Sequence, residues 1–220
     1  MLDPFAALLA VLPVVVYIIV LSAIRLSGRA LVTTGARDTA ALAMAVSGFI
    51  AIGPAQLFFP RQAAIVFGPT VWLAIATLYG LFVALYGLVS RPSLVVYGRT
   101  PGEVYPRLLA AAKVLDADAG GNEQIFQVHL PNLQIDLRCD GGPRMDFARI
   151  VSFQPIYNAE FWIRLLVQVR RSMADQPAPQ RVRGGLLELL IAVTLAVSTI
   201  AFSFQQTELL VTEFRRWLWR

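Results

Sequence analysis

The sequence has few of the side chains from which catalytic and metal sites are usually built. It contains one cysteine, Cys139, and one histidine, His129, among 220 residues. A single cysteine excludes an intrachain disulfide and a cysteine-based metal site within one chain. A zinc site made from these two residues would also need carboxylates or a second chain. We therefore expect no metal and no cofactor.

Charged residues are also scarce. They make up 15% of the chain, against about 25% in ordinary soluble domains, and 57% of the residues are hydrophobic. The hydrophobic excess falls in four long runs, which is typical of an integral membrane protein. The net charge of +5 does not favour nucleic-acid binding, because basic residues at span ends set membrane orientation and contact anionic lipid. Every basic residue except Lys113 is arginine, which together with the abundant alanine indicates a GC-rich bacterial genome.

Each run is long enough to cross a hydrocarbon core about 30 Å thick. The expected spans are residues 5–26, 39–59 and 69–90, all within 1–90, and residues 186–204. The first run is expected to be a retained span and not a signal peptide, because no basic residue precedes it and Arg25 follows it. Asp38 and Thr39 are expected to cap the second helix. The apolar stretch at 58–69 forms a surface turn or a re-entrant segment.

Small side chains indicate where spans approach one another closely. In the third run such residues recur every fourth position and share one helix face: Ala76, Gly80 and Ala84. We expect this stripe to be a packing face inside the protein, and an interface between two copies is the alternative. The second run is also rich in small residues: Ala41, Ala45, Ser47, Gly48 and Ala51.

Residues 91–175 are the only long segment with mixed charge, turn residues and short apolar runs. Alternation of apolar and polar residues predicts strands at 94–97, 126–130, 133–137 and 145–151. The alternation slips near Ala148, where a bulge is expected. Thr100-Pro101-Gly102-Glu103 predicts a helix start with a capping box, with the helix extending to 115. Pro106 predicts a bend or a later start.

A second helix is expected from Pro155 to Met173, with Phe161, Leu165 and Val169 on its apolar side. The segment therefore predicts a small α+β cytoplasmic domain, a four-stranded, mainly antiparallel sheet with two helices on one face. The element order differs from that of a ferredoxin-like domain, so the order of the strands stays open.

The C-terminal part begins with a Pro-, Gln- and Arg-rich linker at 176–185 and continues as the fourth span. Glu188 lies one turn inside that span, where a carboxylate suggests an intramembrane polar site. Its closeness to the helix start and to the linker arginines favours a structural role at the membrane surface instead. Residues 205–220 form an amphipathic tail, either interfacial or continuous with the span.

Four spans alternate sides, so the loop at 25–38 and the segment at 91–183 share a side. Together they hold 15 of the 19 Lys and Arg residues. Basic residues near span ends concentrate on the cytoplasmic side. We therefore expect a multi-pass protein of the bacterial inner membrane with a cytoplasmic domain and both termini outside. Basic residues of the tail, such as Arg215, fit this less well, and a fourth run that turned back as a half-helix would place the tail in the cytoplasm.

Arginines at the span ends are the best candidates for contacts outside the chain. We expect them to orient the domain on anionic lipid, and a site for an anionic headgroup or ligand under the domain is the sharper alternative. They are Arg25, Arg29, Arg37, Arg91, Arg181 and Arg183.

Residues with catalytic chemistry form no recognisable nucleophile–base pair. His129 in a strand and Cys139 beside a turn are expected to be structural. Asp136, Asp140 and Asp146 around the strands are expected to be solvated, with cation binding as the alternative. An arrangement that brought His129 beside Asp136 or Asp146 in an open cleft would favour catalysis.

Three functions remain open from the sequence. We favour a non-catalytic membrane protein whose cytoplasmic domain docks a partner, either another protein subunit or a second copy of the chain. The alternatives are a transport or permeability component, in which Glu188 would matter, and a membrane enzyme acting on a lipid-linked substrate.

Overall fold

We obtained a computed structural model of the chain, which describes residues 4–53, 68, 70–142, 146–174 and 182–218. The chain forms two compact units. A helical unit comprises Met1–Ser22, Thr39–Tyr86 and Leu186–Arg220, and an α+β unit comprises Ala23–Asp38 and Gly87–Gly185. The α+β unit therefore includes the loop between the first two spans, which the sequence had assigned to the membrane part.

The described elements are, in chain order, α1 (Pro4–Ser27), β1 (Leu31–Thr34), α2 (Gly35–Ile52), α3 (Thr70–Val89), β2 (Ser93–Tyr97), α4 (Pro101–Leu115), β3 (Gly120–Asn122), β4 (Gln127–Leu130), β5 (Ile135–Asp140), β6 (Phe147–Ser152), α5 (Ala159–Ala174), α6 (Val182–Gln205) and α7 (Thr207–Leu218).

Four of these helices, α1, α2, α3 and α6, are long and apolar enough to cross a membrane. Two boundaries differ from the prediction. The second helix begins at Gly35, where the Thr34 hydroxyl accepts a hydrogen bond from the Arg37 backbone N–H at 3.4 Å, so Asp38 and Thr39 are not its cap. Residues 54–67 and 69, with the end of the predicted second span and nearly all of the predicted surface turn, lie outside the described residues.

The fourth span begins at Val182, inside the predicted linker, of which 176–181 lies outside the described residues. It continues without a break to Gln205. A continuous helix of this length and composition is long enough to cross a membrane, which favours a full span over the half-helix alternative, and the side of the tail stays a prediction. The tail is a separate helix, α7, and it packs on the start of α1, because the Phe5 and Phe214 rings meet edge to face with centroids 5.4 Å apart.

Two contacts hold the second span against its neighbours. Gly48 of α2 lies against the backbone of α1, so close that a methyl group placed on it would be only 2.8 Å from the Leu9 carbonyl carbon and 3.0 Å from Ala10 Cα. The Tyr79 hydroxyl of α3 donates to the Ala43 carbonyl of α2 at 2.7 Å. Gly48 belongs to the small residues expected at close approaches in the second run.

The α+β unit holds one antiparallel sheet of six strands in the order β1-β2-β6-β5-β4-β3, where four strands were expected. The two additional strands are its edges. Strand β1 comes from the loop between α1 and α2, and its residues Leu31–Thr34 pair with β2. Strand β3, Gly120–Asn122, carries no apolar side chain that would have marked it as a strand in the sequence.

Local details of the sheet also correct the prediction. Strand β5 begins at Ile135 because residues 131–134 form a turn that ends at Gln134 with a positive φ of 54°. Strand β6 pairs with both neighbours in a continuous register, so the bulge expected near Ala148 is absent from the described strand.

Both helices of the unit lie on one face of the sheet, which we call the inner face. The capping box of α4 is present, with the Glu103 carboxylate accepting from the Thr100 backbone N–H at 2.8 Å, so the later start at Pro106 is wrong. Helix α5 begins at Ala159, four residues after Pro155, because the Asn158 side chain caps it by accepting from the Glu160 N–H at 2.9 Å.

The core lies between the helices and the inner face. Alternate residues of five strands point into it, and the fully buried side chains there include Leu94, Val96, Leu108, Val128, Leu130, Leu137, Ile150 and Leu165. Val32 of the edge strand β1 belongs to the same core. Its carbonyl oxygen accepts two hydrogen bonds from the Arg170 guanidinium of α5, at 3.1 and 2.9 Å. The loop between α1 and α2 thus supplies a structural strand of the domain.

Asp116 joins the end of α4 to the turn between β4 and β5. Its buried carboxylate accepts from the Asn132 side chain at 2.7 Å, from the Asn132 N–H at 2.8 Å and from the Asp118 N–H at 3.1 Å. Burial by itself would raise the pKa of Asp116, but these hydrogen bonds to the charged form outweigh burial and lower the pKa below its usual value.

Acid is therefore expected to weaken the domain through Asp116. The folded pKa lies below the unfolded one, so the stabilisation is complete above the unfolded pKa of about 4 and is lost as pH falls through the folded value. Asp116→Asn should lower stability at neutral pH and give a shallower decline with acid. Denaturant unfolding of both proteins from neutral pH to about pH 2 measures this. Parallel pH profiles for the two proteins would contradict it.

Candidate functional site: the outer face of the sheet

The face of the sheet opposite the two helices, which we call the outer face, is half covered and half open. Over β2 it is covered by the start of α2. Gly35 lies directly against the Ser93 hydroxyl, where a Cβ would overlap it, and Val95 beneath is fully buried. The Tyr97 hydroxyl donates to the Asp38 carboxylate in the first turn of α2. Glycine at this helix start is what lets α2 lie so close to the strand.

The end of α1 lies at the same covered half. Arg25 Nε is 3.9 Å from Asp146 Oδ2, and the Arg29 carbonyl lies beside Gly98, which has a positive φ of 81°. Arg25 is half-buried in this contact. From the sequence, Asp146 was grouped with Asp136 and Asp140. In the structure it instead lies beside Arg25, in the last turn of α1.

The other predicted interface arginines differ from Arg25 in exposure. Arg29, Arg37 and Arg91 are exposed, and none of them forms an ion pair within the part of the chain that the structure describes. Arg181 lies outside the described residues, as does the side chain of Arg183. Three exposed cations therefore stand at the ends of α1, α2 and α3.

The open half of the outer face, formed by β4, β5 and the end of β6, brings His129 beside Asp136. The two residues face each other across neighbouring strands, with His129 Nδ1 and Asp136 Oδ1 2.7 Å apart. Gln154 binds Asp136 twice. Its Nε2 donates to the carboxylate at Oδ2 at 2.9 Å, and its Oε1 accepts from the Asp136 backbone N–H at 3.0 Å. Hydrogen bonds from Gln154 and then His129 lower the pKa of Asp136.

The His129 side chain is 56% exposed, so it is not part of the core. Its cross-strand partner on β3 is Gly120, and no described residue lies within 4 Å of a methyl group placed on that glycine. The imidazole is therefore held by Asp136 on one side and accessible on the other. Such a pair can take up or release a proton.

Further along β5, Arg138 pairs with the Asp140 carboxylate, and its guanidinium carbon lies 5.9 Å from the centre of the Phe153 ring. Phe153 is 49% exposed. The three aspartates of the strands thus have three different partners. Within the described ranges no group of three or more His, Cys, Asp or Glu residues could hold a metal ion.

Cys139 points into the core and is 4% exposed. Burial, with a smaller contribution from the charge of Asp140, raises the pKa of Cys139 to about 12. The thiolate is the nucleophilic form of cysteine, so this residue stays a protonated thiol at neutral pH. The structural role expected from the sequence fits this position.

The remaining predicted site residues lie in the helical unit, on α3 and α6. Ala76, Gly80 and Ala84 are all exposed on α3, and among the described residues nothing lies within 4 Å of a methyl group placed on Gly80. Both the packing face inside the protein and the interface between copies stay predictions for this stripe. Glu188 lies almost two turns inside α6 and is half-buried.

Sequence reasoning missed two parts of the outer face. Gln154 follows β6 as one of several polar residues, and only the pairing of β5 with β6 brings it to Asp136. Arg149, which donates from Nε to the Ser93 hydroxyl at 3.2 Å, was not distinguished from other basic residues. Alternation within β6 places Arg149 on the outer face, but no local pattern identifies its partner.

Comparisons with protein-family models, with curated proteins and with solved structures found no match.

Proposed function

We propose that this chain is a multi-pass protein of the bacterial inner membrane whose α+β domain is a cytoplasmic, non-catalytic docking module. Its open outer half-face would bind another subunit of a membrane complex, or a second copy of the chain. The observation that carries the proposal is the division of the outer face. One half is occupied by the chain's own span ends, and the other half presents an ordered but uncovered set of side chains.

The ordering of that half supports recognition. Asp136 is held by His129 and Gln154, and Arg138 is paired with Asp140 beside the exposed Phe153 ring. Side chains that are already fixed by hydrogen bonds lose less conformational freedom when a partner binds. Arginine and aromatic residues are also the types that contribute most to protein interfaces.

The attachment to the membrane supports a fixed position for this surface. The loop between α1 and α2 joins the sheet as strand β1. Arg25, which precedes it, pairs with Asp146, and Asp38, which follows it, accepts from the Tyr97 hydroxyl. The excess of basic residues in the loop and domain favours the cytoplasmic side for both. The exposed Arg29, Arg37 and Arg91 would contact anionic lipid there.

The test is retention of a companion after purification from native membranes in mild detergent, measured by native mass spectrometry. We expect a stoichiometric second protein, or a second copy, on the wild-type chain. The double variant Arg138→Ala/Phe153→Ala should lower its retention by at least about tenfold, because such residues dominate binding energies. Both side chains are exposed, so the fold should tolerate their loss.

A matched control is available on the other side of the domain. Arg164→Ala/Ile163→Ala also removes one exposed, ion-paired arginine and one exposed apolar side chain, but from α5. We expect it to retain the companion. Equal loss in both double variants, or retention in both, would contradict docking at the open half-face.

The His129–Asp136 pair favours a second candidate, an enzyme acting on a lipid-linked substrate. An imidazole oriented by a carboxylate can act as a general base toward water. Incubating the protein with a bacterial lipid extract in ¹⁸O-labelled water tests this. Labelled products that form with the wild-type chain and not with His129→Ala would establish hydrolysis. If the wild-type chain forms no labelled product, either purified or in its native membranes, hydrolysis is excluded.

A further inference from the structure

Arg149, in the middle of β6, is directed at the start of α2. Its Nε donates to the Ser93 hydroxyl at 3.2 Å, and its Nη2 lies 3.6 Å from the position that a Cβ on Gly35 would take. Ser93 is only 4% exposed. Within the described part of the chain its hydroxyl has one hydrogen-bond partner, the Arg149 donor, so its own proton remains available for an acceptor.

The charges around this point are unbalanced. No carboxylate in the described ranges lies within ion-pair distance of Arg149, and its cross-strand neighbour Asp140 is engaged by Arg138. Asp38, in the first turn of α2, accepts from the Tyr97 hydroxyl. Both of these carboxylates thus already accept from other donors.

Further positive charge comes from the two chain segments that meet here. Arg37 lies in the first turn of α2, and Arg91 lies two residues before Ser93. Both are exposed, and neither forms an ion pair among the described residues. The start of α2 adds the partial positive charge of a helix N-terminus. One arginine therefore contacts a buried hydroxyl donor, and two more lie within two residues of Gly35 and Ser93 along the chain.

We propose that Arg149 and Ser93, flanked by Arg37 and Arg91, form a binding site for a phosphate-bearing anion. The Nε of Arg149 is used by Ser93, which leaves its Nη groups to donate to phosphate oxygens. An oxygen held by the Nη group beside Nε lies on the side of the guanidinium that the Ser93 hydroxyl faces, so this hydroxyl can donate to it as well. A phospholipid headgroup and a soluble phosphate share this chemistry. The site rests on the proposed function only in that a membrane location would bring lipid phosphate to it.

The experiment titrates the purified full-length protein in detergent with phosphatidic acid and, separately, with inorganic phosphate, and counts bound ligands by native mass spectrometry. We expect one ligand bound more tightly than the rest. Arg149→Gln should weaken that binding by about tenfold or more, because one charge-assisted donor pair is lost. Arg164→Gln, which removes an exposed arginine of α5, should leave it unchanged.

The two titrations distinguish a lipid headgroup from a soluble phosphate as the ligand. Tight binding of phosphatidic acid alone identifies a lipid site, and displacement of the lipid by inorganic phosphate identifies recognition of the phosphate group itself. Both results support the site if Arg149→Gln weakens them. Binding that is equally strong in Arg149→Gln, or the absence of a distinct tight ligand in both arms, would overturn the proposal.

A second variant guards against a folding effect at Arg149. Arg37→Gln/Arg91→Gln leaves the Ser93 contact intact and should weaken binding several-fold, with a lower dependence on salt concentration. Retention of the companion protein is recorded on the same samples. If a variant loses the anion while the companion stays bound, the anion site is distinct from the docking surface. If the companion is lost and the anion stays bound, the docking proposal fails and the anion site is still supported.

Discussion

Replacing Val32 with aspartate is expected to open the α+β domain, although Val32 lies in a connection of a few residues between two membrane spans. The side chain is 3% exposed and belongs to the core that the two helices form with the sheet. The change removes a buried apolar group and places a carboxylate among apolar neighbours. Together these effects cost about 3–5 kcal/mol, a large part of the stability of a small domain.

The measurement is hydrogen–deuterium exchange of the full-length protein in detergent. In Val32→Asp the amides of β2 and β6 should exchange about a hundredfold faster or more, since about 3 kcal/mol in opening free energy corresponds to that factor. Leu31→Asp is the matched control. Leu31 is the preceding residue of the same strand but is 43% exposed, so its replacement should leave exchange in β2 and β6 nearly unchanged.

The two variants together distinguish a structural strand from a flexible loop. If β1 were only a connection, both substitutions would be tolerated equally. Equal protection of β2 and β6 in Val32→Asp and Leu31→Asp would therefore contradict the assignment of the loop to the domain. Faster exchange confined to Val32→Asp would show that the loop between α1 and α2 completes the core.

Local features of this fold could be predicted from the sequence, and non-local ones could not. The capping box of α4 depends on Thr100 and Glu103, three residues apart, and the structure contains it. Strand β1 depends on Val32 meeting Val96, with both α2 and α3 between them in the sequence, and its four residues are too few for a periodicity. A short strand that is stabilised mainly by pairing with a distant segment cannot be recognised from its own residues.

The same distinction applies to the outer face. His129 and Asp136 lie on strands joined by one short turn, so an exact register would have predicted their contact. The turn ends at Gln134 with positive φ, which delays β5 by two residues relative to the alternation, and such geometry is unusual for glutamine. The bond between Arg149 and Ser93 joins β6 to β2 and depends on the sheet order, which the element pattern left open.

In the helical unit, hydropathy marked the four spans because length and composition are local properties. It did not show which helix faces meet. Gly48 and Gly80 both sit in helices that are apolar enough to span a membrane, and both belong to runs that contain small residues. Only the structure distinguishes them, since Gly48 lies against the α1 backbone and no described residue lies near Gly80.

This difference predicts opposite responses to one substitution. In Gly48→Leu the new side chain has to occupy the space of the Leu9 carbonyl, and the obstacle is backbone, which cannot rotate away. Helices α1 and α2 must then separate. We expect a loss of about 2–3 kcal/mol in the free energy of unfolding, the upper part of the usual range for overpacking, partly offset by the better helix propensity of leucine.

Gly80→Leu is the matched control, with the same change at an exposed position of α3. Because no described residue lies near the added side chain, its thermal unfolding midpoint in detergent should be equal to or above that of the wild type, whereas the midpoint of Gly48→Leu should fall clearly. A similar fall for both would contradict the close approach of α1 and α2. If Gly80→Leu instead keeps its monomer stability but abolishes a homo-oligomer, the stripe with Ala76 and Ala84 packs between copies, as small residues on one face allow.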